Sequence, residues 1–295
     1  MAVSDGYLPH VRQGAPALPD MDDRQFEQWA GLLEERTGMT MPRARKSFLV
    51  TSVGMRMREI GYEDFDTYYA HLTSGLIGNL EWNALVDRLT VHETRFFRDP
   101  RALDVLSDTI LPELVRRPDW DGDLNVWSVG CSTGEEVCTL AMVLDAFAGA
   151  HTEEVRFGIT GTDISLQSLS VARTGVYGER RARQIPDGYR VNYCEVDSPG
   201  RFRLIHALRR RLAFAQMNVL DAAVASPRRM DVIYCQNLLI YFARPRRVEI
   251  LNGLVRHLRP GGALVLGAGE MMNWTNPVME RLPNRKDVLA YRRRL

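Results

Sequence analysis

The chain has 295 residues, 45% of them hydrophobic and 25% charged, which is the composition of an ordinary globular protein and excludes a disordered chain, a collagen and a coiled-coil rod. Thirty-eight basic residues face 37 acidic ones, a net charge of +1, so overall charge selects no partner and only local patches can. No apolar run reaches the roughly 18 residues that a membrane span needs, and the opening MAVSDGYLPH lacks the basic-then-apolar order of a secretion signal. The four cysteines, Cys131, Cys138, Cys194 and Cys235, contain no C-x-x-C pair, so reduced thiols in the cytoplasm are expected and no metal site.

Residues 1–20 hold Gly6, Gly14, Pro9, Pro16 and Pro19 without an apolar period and are read as a flexible leader. Residues 21–91 read as a small all-helical domain. Asp22 or Asp23 can cap a first helix in which Phe26, Trp29, Leu32 and Leu33 recur at helical spacing up to Gly38. A second helix follows Pro42 and ends near Gly61, a third covers 64–73, and a fourth carries Trp82, Leu85, Val86 and Leu89.

Residues 92–295 form the second domain, in which the pattern becomes α/β after residue 120. Asn125–Val129 is a buried strand ending at Gly130, 134–148 a helix, Val155–Thr162 a second strand ending at Asp163, and 165–173 a helix. Short strands follow at Leu212–Met217 and Asp231–Cys235, then a helix at Arg246–Leu258, a turn at 259–262 and a strand at Ala263–Leu266. Strands alternating with helices predict a parallel sheet covered on both faces, with its ligand at the carboxyl ends of the strands. Residues 190–214 break the alternation. Two β-rich runs around Asp197-Ser198-Pro199-Gly200 predict a small inserted antiparallel hairpin.

The strand–loop–helix unit VWSVGCSTGEE, residues 126–136, spaces its glycines as G-x-x-x-G and fits neither the dinucleotide nor the P-loop fingerprint. Glu135 and Glu136 in the first helical turn complement the helix dipole but would repel a pyrophosphate. A ligand with a cationic part is tolerated there, and S-adenosylmethionine, with a sulfonium, an ammonium and no phosphate, fits. Asp163, at the end of the second strand, can accept both ribose hydroxyls or simply cap the following helix.

Five segments, VHETRFFRDP (91–100), WSVGCSTGEE (127–136), GITGTD (158–163), DVIYCQNLLIYF (231–242) and RPGG (259–262), together resemble the CheR family of chemoreceptor methyltransferases. The resemblance spans residues 20–292. It implies a class I S-adenosylmethionine-dependent methyltransferase, Rossmann-like with a mixed sheet, an N-terminal helical domain and a β-subdomain. It also implies methyl transfer to glutamate side chains on a receptor's cytoplasmic helices. The family's cofactor contacts fall on His92, Thr94, Arg98, Glu135, Asp163, Asn218, Val219, Asn237 and Leu238, and residues acting close to the transferred methyl on Arg98 and Tyr241. His92 departs from the family's usual Asn. The short Asp-Ser-Pro-Gly turn resembles members that do without a receptor C-terminal pentapeptide tether, and the HETRFFRDP opening resembles PilK-like members of the type IV pilus pathway. A monomer is implied.

Arg43, Arg45, Lys46, Arg56 and Arg58 lie in a stretch without acidic residues and are expected to receive the acidic receptor bundle, the competing reading being a solvated basic face. Arg201, Arg203, Arg209, Arg210 and Arg211 form a second cluster. Nucleic acid is disfavoured as a partner, because residues 36–58 show no aromatic interleaving apart from Phe48 and the net charge is near zero. The competing functions are methyl transfer to RNA or a small molecule, and a non-catalytic cofactor-sensing adaptor.

Overall fold

The computed structural model describes residues 18–151, 154–283 and 288–295; most of the expected leader lies outside them. The helical domain begins with α1 (Asp23–Thr37), started by a reciprocal capping box between Asp22 and Gln25 and stopped by Gly38 at φ 75°. It continues with α2 (Lys46–Glu59), α3 (Phe65–Leu72), capped by Asp64, and α4 (Gly75–Leu89). Their apolar stripes bury Phe26, Trp29, Leu33, Leu49, Val53, Tyr68 and Leu85.

The second domain opens with α5 (Pro100–Val105) and α6 (Leu111–Val115), joined by one wider turn at Leu106–Ile110. Then come β1 (Asp123–Val129), α7 (Glu135–Gly149), β2 (Arg156–Asp163), α8 (Leu166–Thr174), β3 (Val176–Gly178), β4 (Cys194–Ser198), β5 (Arg201–Leu204), β6 (Leu212–Gln216), β7 (Met230–Cys235), β8 (Leu258–Leu266), β9 (Met279–Arg281) and β10 (Leu289–Arg293). The main sheet runs β6-β2-β1-β7-β8-β10-β9, parallel from β6 to β8 and antiparallel at β10 and β9. Strand order reverses direction at β1 and β7, which opens a crevice at their carboxyl ends.

Side-chain alternation along the strands divides the core in two. Trp127, Ile233, Cys235, Leu264 and Leu266 join the helical domain and the helix Arg244–Val255 in one continuous apolar cluster. Val126, Val232, Tyr234, Ala263 and Val265 face α5, α6 and α7 in the other. Each fully buried large apolar side chain contributes about 1.5–3 kcal/mol, so the shared cluster fixes the helical domain against the sheet as a rigid wall. Backbone pairing adds to this: Met39 bridges Phe242, and Thr40 N–H donates to Tyr241 O at 2.9 Å.

The inserted subdomain differs from the hairpin expected at 190–214. It is a three-stranded sheet, β3-β5-β4, in which Val176–Gly178 pairs with Arg201–Arg203. Residues 187–193 are helical, and 212–216 belong to the main sheet as β6. A three-residue strand is too short to show alternation, which is why β3 escapes a pattern search. The turn itself is as tight as expected, with Gly200 at φ 74° after Pro199.

Candidate active site

β1 ends at Val129 and the chain turns through Gly130 (φ 73°), Ser132 (φ 50°) and Gly134 (φ 92°) into α7. Gly130 and Cys131 N–H both donate to Thr162 O, at 2.8 and 2.9 Å, tying the loop to the end of β2. A Cβ on Gly134 would sit 2.8 Å from Ala172 Cβ, so the close packing of α8 on the loop requires glycine there. Ser132 and Asn237 (φ 58°) are left-handed residues that both line the crevice; strained backbone of this kind collects at working sites.

The crevice encloses about 1100 Å³, part of it open to solvent. His92, Thr94, Arg98, Asp163, Asn218, Val219, Asn237, Leu238 and Tyr241 all line it. Thr37 and Met39 of the helical domain complete the wall. Asp163 is 9% exposed. Its Oδ2 accepts Ser132 N–H at 2.8 Å and its Oδ1 accepts Ser165 N–H at 2.9 Å. Each oxygen keeps a second lone-pair direction for a ligand hydroxyl. Burial raises its carboxyl above the ordinary value, and the two backbone donors oppose that rise.

The two glutamates of the loop separate. Successive helical residues point about 100° apart, and here Glu136 lines the crevice while Glu135 does not. Glu135 is fully buried, accepts Thr133 Oγ1–H at 2.6 Å and pairs with Arg181. Glu135, expected among the cofactor contacts, lies outside the crevice lining, and its carboxylate is engaged by Arg181, 46 positions downstream. Glu136 Oε1 accepts Ser128 Oγ–H at 2.7 Å, and burial pushes its carboxyl up to about 8, with the nearby Glu270 adding to the rise and Arg98 opposing it. Glu270, 1% exposed, accepts the N–H groups of Leu239 (2.8 Å) and Gly267 (2.7 Å), and its carboxylate also takes those of Asn237 and Leu238. It thereby fixes the loop that carries Asn237, Leu238 and Tyr241.

Two further residues are occupied by the protein. The His92 ring bonds Asp87 O at 2.7 Å through Nε2 and Ser168 Oγ at 2.9 Å through Nδ1. A carbonyl only accepts, so Nε2 is the donor to Asp87 O. Both nitrogens thus tie the end of α4 to α8. The Asn218 side chain donates to Arg36 O at 2.9 Å and accepts Leu220 N–H at 3.2 Å, capping rather than reaching outward.

At the mouth, Arg98 donates from Nη1 to Glu93 O at 2.7 Å. Desolvation raises the Tyr241 phenol, and the positive charges of Arg45 and Arg98 oppose that rise. Arg45 stacks on Phe48 at 4.5 Å. The remaining basic face is largely neutralised, contrary to expectation. Arg43 pairs with Glu27 and Asp23, Lys46 with Asp23, and Arg56 with Glu81 and Glu59. The stretch lacks acids in sequence, but α1, α4 and the last residue of α2 supply them in space. Arg58 is also engaged.

Glu270 and the residues of the helical domain were not anticipated as site components, and Glu136 was placed at the ligand loop without being chosen as the contact. The phase of α7 gives no signal for Glu136, since the helix is buried on all sides from Val137 to Leu144. Among the described residues no group of His, Cys, Asp or Glu side chains could hold a metal ion, and no helix is long and apolar enough to cross a membrane.

A crevice at the strand-order reversal, lined by the carboxylates of Asp163 and Glu136, with no phosphate-binding loop, fits a class I S-adenosylmethionine-dependent methyltransferase. Residues 92–288 match the S-adenosylmethionine-binding domain of the CheR methyltransferases and residues 24–90 their all-alpha domain. The chain is 32% identical to chemotaxis protein methyltransferase 1 of Pseudomonas aeruginosa over 252 residues, covering 84% of this chain and 90% of that one. It is 30% identical to chemotaxis protein methyltransferase 2 of Vibrio cholerae over 273 residues, 92% of this chain and 93% of that one. With the probable biofilm formation methyltransferase WspC of Pseudomonas aeruginosa it shares 33% identity over 85% of its length, spanning 57% of that protein. The chain belongs to the CheR methyltransferase family.

Proposed function

We propose that this enzyme methylates glutamate side chains on the cytoplasmic helices of a chemoreceptor, forming methyl esters that tune its signalling. The observation that carries the reading is an acid-lined crevice, with Asp163 and Glu136 in its wall, that Arg98 and Tyr241 also line. Bound in the crevice, S-adenosylmethionine supplies an electrophilic methyl on sulfur, which a carboxylate can take up with no proton transfer. A glutamate is ionised at neutral pH, so the chain needs no general base. Its task is alignment, which can contribute about 7–11 kcal/mol.

Asp163 takes the ribose. Glu136, rather than Glu135, faces the cationic part of the cofactor. Thr94, Val219, Asn237 and Leu238 line the remainder, and Arg98 orients the incoming carboxylate with Tyr241. A tight bidentate arginine pair would stabilise the ground state; Arg98 avoids this by sharing its guanidinium with Glu93 O. Of the basic face, Arg45 is the residue directed at the substrate, because Arg43, Lys46 and Arg56 are already paired. The tight Pro199–Gly200 turn supports action without a pentapeptide tether. The enzyme works as a monomer in the cytoplasm, where its cofactor and the receptor helices meet.

Incubation with tritiated S-adenosylmethionine and membranes from the native cell tests this. A labelled receptor band that releases volatile methanol in mild alkali is expected. Label that resists alkali, or that resides in RNA or a small molecule, would replace this reading with the corresponding alternative, and cofactor binding without turnover would point to an adaptor.

A further inference from the structure

The inserted subdomain touches the cofactor loop at three places. Tyr177 OH donates to Thr133 O at 2.9 Å. Arg181 donates to Thr133 Oγ1 at 3.3 Å and forms the ion pair with fully buried Glu135. Gly134 is the contact point of the loop: a Cβ there would lie 3.0 Å from the Tyr177 hydroxyl. The subdomain side is itself rigid. Tyr177 meets Phe96 edge-on at 5.1 Å and Phe202 at 5.8 Å, and Gln184 Oε1 accepts Phe96 N–H at 3.2 Å. Phe96 belongs to the segment that carries Thr94 and Arg98.

We infer that Arg181 and Tyr177 are positioning residues that hold the loop Ser132–Glu136 in its cofactor-binding shape, so that the inserted subdomain is part of the cofactor site without touching the cofactor. The inference rests on the assignment of the crevice to S-adenosylmethionine. Its physical basis is the burial of Glu135. A carboxylate with no solvent exposure keeps its charge only while a cation and a hydroxyl hold it, and Arg181 is the cation that the fold sets beside it. Glu135 is the first residue of α7, Ser132 N–H is bound by Asp163, and Glu136 is the next residue along. Any movement that re-solvates Glu135 therefore shifts both carboxylates that face the cofactor. Burial also keeps the Tyr177 phenol protonated, well above its usual range, so it remains a donor to Thr133 O throughout the working pH range.

The test combines calorimetric titration of S-adenosylmethionine with hydrogen exchange at the 132–136 amides in the cofactor-free protein. Arg181→Gln should raise Kd roughly tenfold and accelerate exchange in that loop while melting stays cooperative. Glu135→Gln/Arg181→Gln, which replaces the ion pair by two hydrogen-bonding amides, should return Kd to within about threefold of the parent. A folded Arg181→Gln protein with Kd and loop exchange unchanged overturns the inference. So does abolition of binding by Glu135→Gln alone without recovery in the double variant, which would make Glu135 itself the ligand. If Arg181→Gln does not fold, the isosteric Tyr177→Phe decides: faster loop exchange and a rise in Kd of about threefold are expected, and no change in either overturns the inference. Failure of the parent protein to bind S-adenosylmethionine would refute the cofactor assignment instead, and the exchange measurement would still decide whether Arg181 and Tyr177 hold the loop.

Discussion

Glu136 offers a quantitative test of the site's electrostatics. Its carboxyl is raised from 4.5 to about 8 in the folded protein, chiefly by desolvation. Between those two values the folded state binds a proton that the unfolded state has lost, so stability falls as pH rises through this window. Stability from this group is fully present below about 4.5 and gone above about 8. At 1.36 kcal/mol per unit, the span from 4.5 to 7 amounts to about 3 kcal/mol, and water entry at the crevice wall reduces it to about 1–3 kcal/mol. Glu136→Gln keeps an acceptor for Ser128 Oγ–H and carries no proton equilibrium. Urea unfolding of both proteins at pH 5, 7 and 8.5 should therefore show a difference near zero at pH 5 that grows to about 1–3 kcal/mol in favour of the variant at pH 7. A cationic ligand reverses the preference. Binding of S-adenosylmethionine at pH 7 should release close to one proton from the parent protein and markedly less from the variant, read from the dependence of calorimetric heat on buffer ionisation enthalpy. Parallel pH profiles for the two proteins, with equal proton release, would refute the assignment of Glu136 to the cofactor's cationic part.

Three further predictions follow from named contacts. Asp163→Ala removes the acceptor for Ser132 and Ser165 N–H together with the proposed ribose contacts, and should weaken S-adenosylmethionine binding by at least about a hundredfold, measured by calorimetry; near-normal affinity would contradict it. Tyr241→Phe should lower kcat by about tenfold or more with cofactor Kd nearly constant, since Tyr241 lines the crevice together with Arg98; a loss confined to cofactor affinity would move Tyr241 out of the reaction zone. His92→Ala breaks the bonds to Asp87 O and Ser168 Oγ and should cost about 1–3 kcal/mol of stability in urea unfolding while changing cofactor Kd by less than about threefold; the opposite pattern would make His92 a cofactor ligand.

Much of the site was legible in the sequence because it depends on local chemistry. Gly130 and Gly134 mark a left-handed loop between a strand and a helix, and Asp163 ends the neighbouring strand, so their convergence follows from parallel strand pairing alone. What escaped depends on contacts across the chain. Glu135 and Glu136 are adjacent and identical, and Arg181 on the insertion determines which of them is withdrawn from the crevice. The basic stretch around α2 looked free because its carboxylate partners, Asp23, Glu27 and Glu81, come from other helices. Strands β3, β9 and β10 are short or antiparallel additions to a pattern read as parallel. The role of Glu270 is set by four backbone donors from two separated loops, an arrangement that no spacing rule contains.

The central claim is that an acidic side chain of a receptor receives the methyl group. Mass spectrometry of a purified receptor cytoplasmic fragment, after incubation with this enzyme and S-adenosylmethionine, addresses it directly. The account predicts methyl additions on glutamate residues of the fragment's helices, absent without enzyme and removed by mild alkali. Methylation confined to lysine, arginine or histidine, stable to alkali, would contradict it.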